Sequence, residues 1–297
     1  MKLLLTGANG FLGDNIRDNC TPDFEIISVS RNKLANITCD LSLQVPYLPE
    51  VDVVVHAAGK AHSVPRTAWE KQEFYNVNVI GTANLLKGLE NSTLPKLLFF
   101  ISTVAVYGRI TGLLINEKES LSATDPYGLS KIKAEKIVLD WCQKNNVICS
   151  ILRLPLLVGS NSPGNLGAMI KGIKKGYYFN IAGGEAQKSM VLASDVAKFI
   201  LRVPEIGGIY NLTDGYHPSF CELSKNMSIQ LGKSRPRNLP LWLAKGLART
   251  GDLFGSNAPL NSEKLNKITS TLTFDDSKAR ISFGWDPTPV LEGFKII

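Results

Sequence analysis

A glycine-rich turn near the start of the chain limits the possible folds more than any other feature. The apolar run at residues 2–5 leads directly into TGANGFLG (residues 6–13), where glycine recurs at every third position. Glycine lets the backbone turn tightly and approach a pyrophosphate, and a following helix supplies free N–H groups and the positive end of its dipole. Such a turn can also be no more than a turn. Its place between an apolar strand and a helix favours a dinucleotide site, with contacts from Gly7, Asn9, Gly10, Phe11, Leu12 and Gly13.

The rest of the chain alternates between short apolar runs and helix-like segments. Continuous apolar runs are typical of strands covered on both faces, and helical connections between them imply parallel pairing. The expected strands lie at residues 2–5, 25–29, 51–55, 96–101, 147–152 and 209–212. Residues 78–90 and 130–141 repeat apolar side chains every three or four positions, which predicts two crossover helices. We therefore predict an α/β fold with a Rossmann-type doubly wound parallel sheet.

The sequence changes in character after Pro155, which indicates a second, smaller α/β domain towards the C-terminus. We expect helices at residues 166–175, 221–231, 242–250 and 277–283, a short strand at 271–274, and a helix capped by Ser194. The dinucleotide-binding domain is predicted at residues 1–157, with return segments near 186–212. The substrate-binding domain is predicted at residues 158–185 and 213–297.

The end of the second strand bears on which dinucleotide is preferred. NAD enzymes usually place a carboxylate there to accept hydrogen bonds from the adenosine ribose, whereas this chain has Ser30 and Arg31. A guanidinium favours a 2′-phosphate, so we expect NADP(H); NAD(H) is the alternative if Arg31 is only a solvated surface residue. Asp40 and Leu41 either flank the adenine or begin a turn.

The third apolar run ends in a histidine followed by three small residues. Small side chains at this strand end would let a cofactor's sugar and phosphate groups lie against the backbone. Cofactor contacts are therefore expected from Ala57, Ala58 and Gly59. We expect His56 itself to be a packed strand-end histidine without a catalytic role.

A tyrosine and a lysine four residues apart indicate acid/base chemistry. Tyr127 and Lys131 share one face of a predicted helix, so the ammonium can lie near the phenol. A nearby positive charge favours the ionised phenol and lowers its pKa from about 10. Ser102 and Thr103 end a strand, where a hydroxyl can bond a substrate oxygen and orient the phenol. A tyrosine–lysine pair alone can be an exposed surface pair, but its combination with the glycine turn and this strand end is specific.

Composition argues against several other classes of protein. The formal net charge is +7, but the basic residues are not gathered in one run, so we expect no nucleic-acid partner. Five cysteines without a CxxC spacing predict neither a metal site nor a disulfide framework. The sequence has no signal-peptide pattern and no apolar run of about 18 residues, so we expect a cytoplasmic protein without a membrane span.

These segments together resemble the extended short-chain dehydrogenase/reductases, the nucleotide-sugar branch of the NAD-dependent epimerases and dehydratases. The likeness covers essentially the whole chain and is carried by residues 6–13, 56–59, 78–82, 102–108, 126–131, 153–155, 276–280 and 284–285. The resemblance implies that Thr103 is the active-site hydroxyl and Tyr127 the acid/base. It implies that Lys131 binds the nicotinamide ribose and that Asn78 supports the active site.

The same resemblance implies further contacts and a partner. Additional cofactor contacts would come from Asn78, Ser102, Tyr127, Lys131, Leu154 and Pro155. Val104 and Asn165 would contact a nucleotide-sugar substrate. Lys188 stands where the family commonly has a diphosphate-binding arginine, or is an ordinary surface lysine. Family members often form homodimers through helices that correspond to residues 78–90 and 130–141.

Departures from the family pattern narrow the expected reaction. Sugar 4,6-dehydratases carry Thr-Asp-Glu where this chain has Thr103-Val104-Ala105, so we do not expect dehydration. Leu156 replaces a substrate-binding asparagine of the epimerase, and residues 153–159 resemble enzymes of 4-keto-6-deoxy amino sugars in surface polysaccharide synthesis. Together with Arg31, these features favour an NADPH-dependent 4-ketoreductase. The alternatives are a 4-epimerase, a non-catalytic NADP redox sensor, or a dehydrogenase of a small non-nucleotide substrate.

Overall fold

A parallel seven-stranded sheet occupies the centre of the molecule. The computed structural model describes residues 1–61, 65–160, 162, 164–255 and 258–296. The strands of the sheet are β1 (Lys2–Thr6), β2 (Glu25–Ser30), β3 (Ile37–Thr38), β4 (Val53–His56), β5 (Leu97–Thr103), β7 (Ile148–Leu154) and β11 (Gly208–Asn211). Their order is β11-β7-β5-β4-β1-β2-β3, and every neighbouring pair is parallel. This confirms the predicted doubly wound sheet, whose strand order reverses at β1, the place where open α/β sheets bind ligands.

Helices cover both faces of this sheet. On one face lie α1 (Phe11–Asp18), α6 (Ala193–Leu201) and α10 (Ser277–Phe283), and on the other lie α3 (Gly81–Glu90) and α4 (Pro126–Asn145). Leu3 and Leu5 of β1 point into the first core, and Leu4 points into the second. Because apolar side chains are needed on both faces, the strands appear in the sequence as continuous apolar runs.

The helix predicted at residues 78–90 begins earlier than the sequence indicated. It continues from α2 (Ala68–Tyr75) through a π-helical turn (Asn76–Ile80) into α3. Thr67 and Glu70 form a capping box at its start: Glu70 N–H donates to Thr67 Oγ1 at 3.1 Å, and Thr67 N–H donates to Glu70 Oε2 at 3.2 Å. This Thr-x-x-Glu start signal is present in the sequence and places the start of the helix before residue 78.

Smaller sheets and helices complete the structure. The remaining strand pairs are β8 (Leu156–Val158) with β10 (Met190–Leu192), β9 (Phe179–Ile181) with β12 (Arg237–Leu239), and β6 (Gly112–Ile115) with β13 (Leu272–Phe274). The remaining α-helices are α5 (Gly164–Lys175), α7 (Phe220–Gln230), α8 (Leu241–Asp252), α9 (Ser262–Thr269) and α11 (Val290–Gly293). Two 3₁₀ turns lie at Val104–Tyr107 and Ala182–Gly184. A core that contains Met169, Leu223 and Phe294 joins α5, α7, β8, β10 and α11.

Two details differ from the expectations drawn from the sequence. The predicted Ser194 cap is wrong, because β10 runs directly into α6, whose N-cap residue is Leu192. Residues 277–285, which we had grouped with the second domain, pack on the large sheet. The Phe283 and Trp285 rings lie 4.4 and 5.6 Å from the Phe199 ring, centroid to centroid. Aromatic burial therefore holds α10 and Trp285 on the dinucleotide-binding half.

A buried ion pair fastens α4 to the sheet. Arg153 on β7 donates to both carboxylate oxygens of Glu135, at 3.1 and 2.7 Å, and both side chains are only 3% exposed. Ser102 donates to the same carboxylate, and the guanidinium also donates to the Tyr107 hydroxyl at 3.1 Å. Tyr107 in turn donates to Asn211 Oδ1 at 2.8 Å. The network thus connects α4, three strands and a 3₁₀ turn.

Replacement of Glu135 by leucine should lower the free energy of unfolding by about 3–5 kcal/mol, because Arg153 would remain buried without its partner. A matched control lies on the same helix, where Lys136 and Asp140 form an exposed ion pair of 2.9 Å. Asp140→Ala should change stability by less than about 1 kcal/mol. Urea unfolding of both variants tests this prediction, and equal losses would contradict it.

Candidate active site

The glycine turn after β1 is shaped by close backbone contacts. Gly7 has φ +73°, and a Cβ on it would lie 2.7 Å from the carbonyl carbon of Ala57. A Cβ on Gly13 would lie 2.2 Å from the carbonyl oxygen of Gly7. Gly10 is the N-cap residue of α1 and makes no side-chain capping bond. The first turn of α1 therefore presents N–H groups of the kind that bind phosphate.

A cleft of about 350 Å³ opens beside this turn. Nine of the residues predicted to contact a cofactor line it: Gly7, Asn9, Gly10, Ser30, Arg31, Asp40, Leu41, Ala58 and Gly59. Six further lining residues were not predicted: Val29, Asn32, Cys39, Ser42, His56 and Val77. The volume, the glycine cradle and the helix N-terminus fit the adenosine and diphosphate parts of a dinucleotide.

Polar groups that follow β2 and β3 line this cleft. Asn9 Nδ2 donates to Ser30 Oγ at 3.3 Å, and Arg31 beside it is exposed. None of the described residues makes a hydrogen bond or an ion pair with the Arg31 guanidinium. Asp40 Oδ1 accepts from the N–H and the hydroxyl of Ser42 at 3.0 and 2.6 Å. Asp40 therefore begins a turn and also lines the cleft, and its contact with an adenine stays a prediction.

His56 is buried, and its ring lies between two threonines. Its Nδ1 lies 2.7 Å from Thr6 Oγ1, and its Nε2 lies 2.9 Å from Thr82 Oγ1. Since Thr82 donates its own proton to the Asn78 carbonyl at 2.7 Å, Nε2 is the donor to Thr82. Burial and then the charge of Lys131 lower the pKa of His56 to about 3. The structure confirms the expected packed histidine.

Thr103, Tyr127 and Lys131 come together at the end of β5. Tyr127 occupies the first turn of α4, where its N–H donates to the capping carboxylate of Asp125 at 3.1 Å. The Thr103 hydroxyl accepts from Ala105 N–H at 3.1 Å and is near enough to the Tyr127 phenol to influence its pKa. Lys131 Nζ donates to the Ile101 carbonyl at 2.7 Å. A phenol, a hydroxyl and an ammonium thus lie around one strand end.

The electrostatics of this group differ from the sequence-based expectation. Burial is the main influence on Tyr127 and raises its pKa, while the Thr103 hydroxyl acts in the opposite direction. We had expected Lys131 to lower this pKa, but its ammonium is bonded to the Ile101 carbonyl and lies 4.0 Å from the centroid of the Phe100 ring. Burial lowers the pKa of Lys131 to about 7, against the opposing charge of Glu135.

Asn78 supports this site from the π-helical turn. Its Oδ1 accepts from Lys60 N–H at 2.7 Å, and its Nδ2 donates to Ser130 Oγ at 2.8 Å. Ser130 in turn donates to the carbonyl of Tyr127 at 2.7 Å. Asn78 therefore links the loop after β4 to the first turn of α4, and its side chain serves the protein rather than the cleft.

Several residues predicted to contact the cofactor instead contact other parts of the protein. Leu12 and Leu154 are buried in the core beneath the sheet, and Ser102 donates to Glu135. The residues predicted from the sequence that do not line the described cleft are Phe11, Leu12, Gly13, Ala57, Asn78, Ser102, Tyr127, Lys131, Leu154 and Pro155. The polar network of Ser102 with Glu135 and Arg153 was missed, although Glu135 stands four residues after Lys131 in the sequence.

The residues expected on the substrate side lie on separate elements. Val104 begins the 3₁₀ turn directly after Thr103, and Asn165 is exposed in the first turn of α5. Lys188 is half-buried near β13, where burial lowers its pKa to about 8. Among the described residues, no carboxylate is close enough to Lys188 Nζ to form an ion pair. Its charge is therefore available to an anionic group.

Among the residues that the structure describes, no His, Cys, Asp and Glu side chains form a group of three or more suited to a metal ion. Across the same ranges, no helix has the length and apolar character needed to cross a membrane.

A doubly wound sheet with a glycine turn and an open cleft at the reversal of its strand order is typical of dinucleotide-binding α/β proteins. Comparison with known proteins agrees, because residues 3–212 match the model of the NAD dependent epimerase/dehydratase family. The chain belongs to this family of NAD(P)-dependent enzymes. The resemblance inferred from the sequence is thereby confirmed.

Individual relatives carry different activities in their names. UDP-glucose 4-epimerase of Vibrio cholerae is 27% identical over 316 residues, which cover 99% of this chain and 93% of that protein. GDP-6-deoxy-D-mannose reductase of Pseudomonas aeruginosa is 25% identical over a match that covers 75% of this chain and 77% of the reductase. The crystal structure of UDP-glucose 4-epimerase from Thermotoga maritima with UDP-glucose has a TM-score of 0.76 at 20% identity, covering 99% and 96% of the two chains.

Proposed function

We propose that this protein is an NADPH-dependent reductase of a 4-keto-6-deoxy sugar nucleotide that serves surface polysaccharide synthesis. The observation that carries the proposal is the exposed Arg31 in the cleft beside the glycine turn, at a strand end that bears no carboxylate. An arginine at this place can pair with a 2′-phosphate through two hydrogen bonds. The named reductase among the relatives gives independent support.

The cleft offers a fitting place for several parts of NADPH. Gly7, Gly10 and the start of α1 would hold the diphosphate, and Asp40 and Leu41 would flank the adenine. The small residues after β4 leave room for the remaining sugar and phosphate groups. When bound, the cofactor supplies a hydride for the carbonyl carbon.

The group at the end of β5 would handle the proton. Tyr127 would donate a proton to the oxygen at C4, and Thr103 would donate a hydrogen bond to the same oxygen. The raised pKa of Tyr127 keeps the phenol protonated at neutral pH, which suits a proton donor. Lys131 would turn from the Ile101 carbonyl towards the nicotinamide ribose, where its charge would stabilise the phenolate that remains after proton transfer.

The second half of the chain would bind the sugar nucleotide. Lys188 carries an available, half-buried charge that suits a diphosphate, and Val104 and Asn165 would contact the substrate as the family resemblance implies. We assign residues 1–157 and 186–212 to cofactor binding, and residues 158–185 and 213–297 to substrate binding. A homodimer through the helices near 78–90 and 130–141, and a cytoplasmic location, stay predictions from the sequence.

A 4-epimerase is the second candidate. It is favoured by the Vibrio cholerae relative, which matches this chain over almost its full length and carries that name. An epimerase would retain tightly bound NAD(H) and convert a sugar without net redox change. Analysis of the nucleotide released from denatured protein separates the two candidates, since stoichiometric NAD(H) would favour epimerisation. A redox sensor is less well supported, because the chain keeps Thr103, Tyr127 and Lys131.

Tyr127→Phe should lower turnover by about 10²-fold or more, because the proton donor is removed while the ring remains. NADPH oxidation with a panel of 4-keto-6-deoxy sugar nucleotides measures turnover, and fluorescence titration should show nearly unchanged NADPH affinity. Tyr47→Phe, at an exposed position far from β5 in the sequence, is the matched control. Undiminished turnover in Tyr127→Phe would refute the assigned role.

Arg31→Ser should weaken NADPH binding by about 10-fold or more, because a charged hydrogen-bond partner of the 2′-phosphate is lost. NADH lacks that phosphate and should bind with nearly unchanged affinity. Lys33→Ser controls for a general loss of positive charge, since Lys33 is exposed and does not line the cleft. Equal effects on the two cofactors, or a wild-type preference for NADH, would contradict the assignment.

A further inference from the structure

The positive charge of the chain is concentrated in one segment. Between Glu222 and Asp252 there is no acidic residue, whereas six basic residues give this segment a net charge of +6, against +7 for the whole chain. Five of them follow Gly232, and all five are exposed: Lys233, Arg235, Arg237, Lys245 and Arg249. No carboxylate in the described ranges forms an ion pair with any of these five.

Helix α8 within this segment exposes large apolar side chains. The helix packs on the protein through small residues, Ala244, Ala248 and Gly251, which are buried. Its outer side carries Trp242, Leu243 and Leu247, which are 75%, 39% and 50% exposed. Leu253 and Phe254 follow directly and are 85% and 71% exposed. Large apolar side chains gathered in this way mark a surface that is covered by something else.

The helical spacing separates the basic residues of α8 from its leucines. Leu243 and Leu247 stand four residues apart and form an apolar strip on one side of α8. Lys245 and Arg249 also stand four residues apart, on roughly the opposite side, and Trp242 lies on the outer surface beside Arg249. Large apolar side chains and a row of basic residues on different sides of one helix are typical of a helix that lies in the plane of a membrane interface.

We propose that α8, together with the basic segment 233–237 before it, docks on an anionic lipid bilayer. Trp242, Leu243 and Leu247 would enter the boundary between headgroups and acyl chains, and the arginines and lysines would contact the lipid phosphates. With a single short helix, the docking would be reversible.

The charge of this surface favours an anionic bilayer over a second copy of this chain as its occupant. A twofold interface brings the same surface of both subunits together. Such an interface on α8 would set Lys245 and Arg249 of each copy, and the basic segment before them, against their own equivalents. Like charges placed opposite each other oppose association. An anionic bilayer complements the same five charges and also accepts the apolar strip.

Co-sedimentation with vesicles tests the proposal on the full-length protein. The protein should pellet with phosphatidylglycerol vesicles, remain in solution with phosphatidylcholine vesicles, and bind phosphatidylglycerol more weakly as salt is added. The double variant Trp242→Ser/Leu247→Ser should bind phosphatidylglycerol vesicles at least about 10-fold more weakly than the wild type. Ile281→Ser is the matched control, because Ile281 is an apolar residue 86% exposed on α10, and it should bind like the wild type.

A more conservative variant, Trp242→Phe, tests membrane contact without a large change to the helix. Trp242→Phe retains an apolar ring and should still bind, but should lose the blue shift of tryptophan emission that the wild type shows with phosphatidylglycerol. Circular dichroism and NADPH titration verify that each variant is folded. The proposal is overturned if the wild type does not bind phosphatidylglycerol, or if Trp242→Ser/Leu247→Ser binds as well as Ile281→Ser. It is also overturned if the wild type forms a dimer that the double variant abolishes.

Discussion

The buried ion pair between Glu135 and Arg153 is the contact on which the geometry of the candidate site depends. Two charges taken out of water are tolerated only when their remaining hydrogen-bonding capacity is satisfied. The hydroxyls of Ser102 and Tyr107 provide this, so the pair can hold α4 firmly on β5 and β7. Because Glu135 lies one helical turn after Lys131, the same contact sets the distance between α4 and the strand that ends in Thr103. The proposed proton donor is thus positioned by residues that touch neither cofactor nor substrate.

Around this fixed centre, three cations form no ion pair with a carboxylate in the described part of the chain. Burial lowers the pKa of Lys131 to about 7 and that of Lys188 to about 8, and the guanidinium of Arg31 stands alone in its cleft. An unpaired, partly buried charge is unfavourable in the free protein. A bound diphosphate would offset that cost at Lys188 and raise the pKa of Lys188. His56 adds no competing charge, since its pKa is lowered to about 3.

The sequence predicted those parts that depend on local pattern. Buried parallel strands leave continuous apolar runs, and the glycine turn leaves its own spacing, so the sheet and nine lining residues of the cleft were predictable. Side-chain direction was not, because it depends on contacts between distant elements. Ser102 donates to Glu135 instead of facing the cleft, and Lys131 is bonded to the Ile101 carbonyl. Burial raises the pKa of Tyr127, whereas the sequence predicts a lowered one. Ser194 failed as a cap because β10 leaves no turn before the helix.

The central claim is that this chain passes a hydride from NADPH to the carbonyl carbon at C4 of a nucleotide-linked sugar. The most direct test is incubation of the purified protein with NADPH deuterated at the transferable position of the nicotinamide and a 4-keto-6-deoxy sugar nucleotide, followed by NMR and mass spectrometry of the sugar. The account predicts a 4-hydroxy product with deuterium at C4 and consumption of NADPH in equal amount. Interconversion of two 4-hydroxy sugars by the same protein, with no deuterium incorporated and no NADPH consumed, would contradict it.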